Sequence, residues 1–110
     1  MPNISYVVDR MSRYTSDPSR EHWTELERVF RYLRGTIGYC LTYIGYPDVI
    51  KGYSNANWIT DSHSVKSTTG YVFMFSGATV SWKSCKQIVI ARSTMESELI
   101  ALDITCLEAE

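Results

Sequence analysis

At 110 residues and 12.6 kDa the chain has room for one small domain and not comfortably for two, so its function must be built around a single core. Hydrophobic residues make up 45% and charged ones 21%, which excludes a disordered or collagen-like chain. Eleven Lys and Arg against 12 Asp and Glu give a net charge of −1, which argues against a generally basic nucleic-acid binder but leaves local patches open.

The longest unbroken apolar run, Tyr71 to Phe75, is far below the roughly 18 residues of a membrane span. Met1-Pro2-Asn3-Ile4 lacks the basic and apolar regions of a signal peptide. The chain is therefore expected to be soluble and intracellular, with no membrane partner.

In chain order, Ile4, Val7, Val8, Met11 and Tyr14 follow the three-and-four spacing of an amphipathic helix, with Pro2 where a first turn tolerates proline. Asp17-Pro18 reads as the cap and first residue of a second helix, whose apolar stripe Trp23, Leu26, Val29, Phe30 and Leu33 ends before Gly35. Strands are expected next, over Tyr39 to Ile44 and Val49 to Asn55, separated by the turn residues Gly45-Tyr46-Pro47-Asp48. Tyr71 to Phe75, the turn Ser76-Gly77 and Thr79 to Trp82 form a hairpin, and Ile88 to Ile90 extends the sheet. Ser93 and Glu96 make a capping box that starts a last helix, with Met95, Leu99, Leu102 and Cys106 on its apolar face. That helix runs to Ala109-Glu110 without a stop signal, so the chain is expected to be cut short.

Charge is unevenly spread. Between Ser62 and Met95 lie Lys66, Lys83, Lys86 and Arg92 with no acid, whereas Glu96 to Glu110 holds five acids and no base. Arg20, Arg28, Arg31 and Arg34 share one arc of the second helix, which reads first as a solvated face and second as a phosphate-tracking one. Cys40, Cys85 and Cys106 are odd in number and far apart, and His22 and His63 stand alone, so neither a disulfide framework nor a zinc site is expected.

The candidate constellation joins Lys51-Gly52-Tyr53-Ser54-Asn55-Ala56-Asn57-Trp58 to Glu98, one turn into the last helix. By itself Glu98 reads first as a solvated helix-start acid favoured by the dipole and second as a functional carboxylate. The surrounding blocks resemble the end of a copia-type long-terminal-repeat retrotransposon Pol polyprotein. Ser12-Arg13-Tyr14, Pro18 to Trp23 and Arg31-Tyr32-Leu33-Arg34-Gly35-Thr36 are similar to the connection between reverse transcriptase and ribonuclease H. Gly52 to Trp58, Lys66-Ser67-Thr68-Thr69-Gly70-Tyr71, Val80-Ser81-Trp82-Lys83-Ser84 and Ala91 to Glu98 resemble the ribonuclease H domain that follows.

The resemblance implies connection helices over 1–38 and a partial ribonuclease H-like domain over 39–110. The expected fold class is thus α+β, a truncated ribonuclease H-like fold with antiparallel strands, a C-terminal helix packed on the sheet and two helices before it. It further implies cleavage of RNA in an RNA:DNA hybrid by two magnesium ions held between converging carboxylates. Other implied partners and places are a reverse transcriptase polyprotein and a cytoplasmic virus-like particle or the nucleus.

The family's first-strand aspartate falls on Asn55 and its first-helix glutamate on Glu98, while the two remaining aspartates fall beyond residue 110. An amide offers a neutral oxygen without the charge that holds a divalent ion, so this copy is expected to be inactive. Asp61, a conceivable substitute ligand, and His63 are read as residues of the polar loop Thr60 to Ser67. Lys66, Ser67, Thr68, Lys83, Lys86 and Arg92 are candidates for nucleic-acid contact, with an ordinary turn an equal reading for Ser67 and Thr68. Trp58 and Trp82 read as core before they read as base-stacking platforms. A non-catalytic module that binds nucleic acid or protein is the alternative function.

Overall fold

The sheet grows outward from one turn. Ser76 and Gly77 take φ of 49° and 78°, the left-handed pair that a two-residue hairpin loop demands. They join β2 (Thr68–Phe75) to β3 (Ala78–Lys86), with Phe75 opposite Ala78. β1 (Lys51–Asn57) lies antiparallel on the other side of β2, from Lys51 opposite Met74 to Asn57 opposite Thr68. The strand order is β1-β2-β3. The structure, a computed structural model, describes residues 2–45, 48–59 and 65–110.

Three helices complete an α+β fold: α1 (Pro2–Ser12), α2 (Arg20–Gly35) and α3 (Thr94–Ala109). α3 rests on β1 and β2, while α1 lies between β3 and α2. Arg13, just past α1, pairs with Asp9 at 2.9 Å and reaches Thr68 Oγ1 at 3.4 Å, tying the first helix to the start of β2. Strands begin at Lys51, later than the change in composition after Gly35 indicates.

Several expected boundaries move. The cap of α2 is Ser19 rather than Asp17, because Ser19 Oγ accepts from His22 N while His22 Nδ1 accepts from Ser19 N at 2.9 Å. Tyr14 stacks on the same His22 ring, centroids 4.0 Å apart, which fixes the turn between α1 and α2. Tyr39 to Ile44 is not a strand: among the described residues its hydrogen bonds to the hairpin are Ile44 N to Ser76 O, 3.1 Å, and Tyr43 Oη to Thr79 O, 3.1 Å, too few to set a ladder. Ile88 to Ile90 also leaves the sheet, and all three side chains face solvent. The expected turn at 45–48 and the loop carrying Asp61 and His63 fall at least partly outside the described residues.

The largest correction concerns α3. Its sequence stripe Met95, Leu99, Leu102 and Cys106 faces away from the sheet, with Met95 72% and Leu99 58% exposed. The buried positions are Ser97, Ala101 and Thr105, four residues apart on one line. Small side chains let the helix backbone approach the sheet closely, which bulky ones on that line would prevent. The core is accordingly thin: a radius of gyration of 15.8 Å exceeds the about 13 Å of a compact chain this long. Among the described residues, the largest fully buried side chains are Gln87, Thr69, Ser67 and Ser97, all polar.

Candidate functional site

The site begins with alternation along β1. Ala56 is buried under α3, so its neighbours Asn55 and Asn57 project to the opposite face, where both are exposed. Asn55 pairs across the sheet with Gly70, and Gly70 with Ser84. Asn55, Asn57, Tyr53 and Ser84 line a cleft of about 270 Å³ that is closed on one side by Ser5 and Tyr6 of α1.

The second half of the site comes from α3. Ser93 caps the helix, its Oγ accepting from Glu96 N at 3.1 Å. Glu96 Oε2 accepts instead from Arg92 N at 2.7 Å, one residue before the cap, so the expected capping box is only half made: the cap bond is present and the return bond to Ser93 N is not. The turn so fixed carries Glu98 over the edge of β1, where Oε2 accepts the Ala56 N–H at 3.1 Å. β1 ends the sheet, and its alternate amides face away from β2. A carboxylate there satisfies one of them. Glu98 and the backbone adjoining Asn55 are therefore brought together, while the Asn55 side chain itself points to the cleft.

A pair of magnesium ions does not fit this donor set. Glu98 already uses Oε2 on a backbone amide, Asn55 presents only a neutral oxygen, and no cluster of three His, Cys, Asp or Glu side chains that could hold a metal occurs among the described residues. Asp61 and His63 lie outside them.

The candidate nucleic-acid contacts scatter. Lys83 stands opposite Tyr71 and Lys86 opposite Thr68, an odd separation that sends the two exposed lysines to opposite faces of β3. Arg92 is exposed at the foot of α3, and Lys66 is half-buried before β2. Ser67 and Thr68 are buried, so neither hydroxyl is presented to a ligand. The Ser67 C=O accepts from Gln87 N and Thr68 accepts from Arg13. Trp58 is partly exposed, with Nε1 donating to Ala91 O at 3.1 Å, and Trp82 is half-buried opposite Val72.

Two residues that carry the site escaped the sequence reading. Gly52 stands opposite Phe73, and a Cβ there would lie 2.8 Å from Phe73 Cε1, so only glycine leaves room for that ring over β1. Gln87 lies 1% exposed between β2 and α3. Its position after a Lys-rich strand end marks nothing by itself. Tyr71 is also distinctive: burial first, then the Glu108 carboxylate and a hydrogen bond to it, and Cys85 last, push its phenol above the ordinary value.

Comparisons with known proteins give consistent relatives. The chain is 44% identical over 100 residues to the Retrovirus-related Pol polyprotein from transposon TNT 1-94 of Nicotiana tabacum, covering 91% of this chain and 8% of that protein. It is 36% identical over 110 residues to the Retrovirus-related Pol polyprotein from transposon RE2 of Arabidopsis thaliana, covering 99% of this chain and again 8% of the relative. It is 42% identical over 110 residues to Secreted RxLR effector protein 161 of Plasmopara viticola, covering 98% of this chain and 77% of that one. The chain thus spans a small fraction of the Pol polyproteins and most of the shorter relative. No protein-family model and no solved structure matches it.

Proposed function

From its similarity over nearly its whole length to retrotransposon Pol polyproteins, we propose that residues 39–110 are part of a copia-type ribonuclease H-like domain. Residues 1–38 are then its connection to reverse transcriptase, and the natural target is the RNA strand of an RNA:DNA hybrid, in a virus-like particle or the nucleus. One observation carries this reading: the Glu98 carboxylate sits 3.1 Å from the Ala56 amide, beside the strand position where the family has its first aspartate. The helix glutamate thus reaches the backbone of β1 next to position 55, while the side chain of residue 55 leaves on the cleft face.

In this copy the site is impaired, because Asn55 supplies no charge there. A missing charge a few ångströms from a divalent ion costs several kcal/mol at an effective dielectric of about 20. The test is cleavage of a labelled hybrid with magnesium or manganese by this chain and by its Asn55→Asp variant. Silence from the parent chain is expected. Cleavage by the parent would refute the impaired site.

A second reading, a non-catalytic interaction module, is favoured by the solvent-facing Met95, Leu99 and Leu102 on α3. Its nucleic-acid version is weaker, since Lys83 and Lys86 do not share a face. Hybrid binding whose salt dependence disappears on replacing Lys66, Lys83, Lys86 and Arg92 would support it, and salt-insensitive binding would remove it. The Plasmopara viticola relative is named a secreted effector.

A further inference from the structure

Gln87 is the largest fully buried side chain among the described residues, and it is polar. A buried primary amide is costly unless its donors are met, so its partners show what it holds. Its backbone N–H donates to Ser67 O at 2.8 Å, pinning it one step beyond the Thr68–Lys86 pair. From there Nε2 donates in two directions, to Thr69 Oγ1 in β2 and to the C=O of Ser97 in α3, each at 2.9 Å. The Ser97 carbonyl can only accept, which sets the end of the amide that faces the helix.

These bonds close a circuit around the site. Thr69 stands directly across the sheet from Ala56. The Ala56 N–H is held by Glu98, and Glu98 follows Ser97, whose carbonyl Gln87 holds. We propose that Gln87 is a positioning residue, a strut between β2 and the first turns of α3 that keeps the Glu98 carboxylate on the β1 amide beside residue 55. The small side chains Ser97, Ala101 and Thr105 let α3 lie close to the sheet but offer little relief against sliding along its axis. A slide of one residue's rise, about 1.5 Å, carries a 3.1 Å bond to the limit of hydrogen bonding or past it. The strut opposes that slide.

This deepens the ribonuclease H reading and rests on it for its significance, but its test uses no hydrolysis, so the two fail separately. Hydrogen exchange of the Ala56 amide is measured at constant pH. In the parent chain the Ala56 N–H, held by Glu98, exchanges slowly, and Glu98→Ala speeds it; that difference is the Ala56 step. Gln87→Met keeps the size and removes both donors. The expected result is loss of the Ala56 step with the β2–β3 amides unmoved, and a partial loss in Thr69→Val, which removes one prong only.

A folded Gln87→Met chain with the full Ala56 step would overturn the proposal. If Gln87→Met does not fold, a full step in Thr69→Val overturns it and a reduced one supports it. Failure of both variants to fold also overturns it, making Gln87 a general core residue. Absence of hybrid cleavage from Asn55→Asp as well, with the step behaving as expected, counts against the hydrolase reading and leaves the strut.

Discussion

Gly52→Ala tests the packing that brings β1 to β2. The new Cβ would lie 2.8 Å from Phe73 Cε1 and 3.2 Å from Cδ1, where ordinary contact begins near 3.4 Å. Phe73 cannot simply swing away: it is 7% exposed, and the Tyr71 ring stands 5.6 Å from it at a 59° tilt. Forcing a buried ring to shift costs about 1–3 kcal/mol. Alanine recovers about 0.5–1 kcal/mol by restricting the unfolded chain. The net expectation is a loss of about 1 kcal/mol, read in urea as a midpoint lowered by about 0.5 M at unchanged slope. Phe73→Leu removes the clashing ring edge, so the double variant should lose less than the sum of the singles. A midpoint for Gly52→Ala equal to or above the parent's would refute the close approach of Phe73 to β1.

Tyr71→Phe should flatten the alkaline limb of the stability curve. Because the folded phenol is raised, chiefly by burial, Tyr71 contributes stability that is fully present below about pH 10 and is lost as pH rises through its folded value; identical alkaline unfolding midpoints for the two chains would contradict the raised phenol. Ser93→Ala should cost about 1 kcal/mol by removing the cap on Glu96 N, checked by the same urea titration. Leu99→Gln with Leu102→Gln should change stability by no more than about 0.5 kcal/mol while lowering self-association in sedimentation, since both side chains face solvent. A loss of several kcal/mol would restore them to the core.

That last contrast shows where a sequence stops being legible. The Ser76-Gly77 turn and the Ser93 cap were readable because each needs a residue type that few others replace, whatever the rest of the chain does. The apolar face of α3 misleads because periodicity registers bulk, whereas close packing on the sheet selected Ser97, Ala101 and Thr105. Tyr39 to Ile44 has strand composition, but a strand exists only with a partner, and the hairpin gives it two contacts. Asn55 and Glu98 could be named from resemblance, yet their meeting at the Ala56 amide depends on a helix landing on a sheet 42 residues away. Gln87 gave no signal at all, since a buried amide is recognised only by partners that the fold assembles.

For Glu98 and residue 55 to hold one ion, both must reach it around the β1 edge, and in this copy residue 55 brings no charge to it. Paramagnetic broadening of the Ala56 amide by manganese, titrated into the parent chain and into Asn55→Asp, tests this most directly. The aspartate variant is expected to broaden at concentrations roughly a hundredfold or more below those the parent needs, the scale of one restored charge near the ion. Equal broadening of the two chains at every manganese concentration would contradict it.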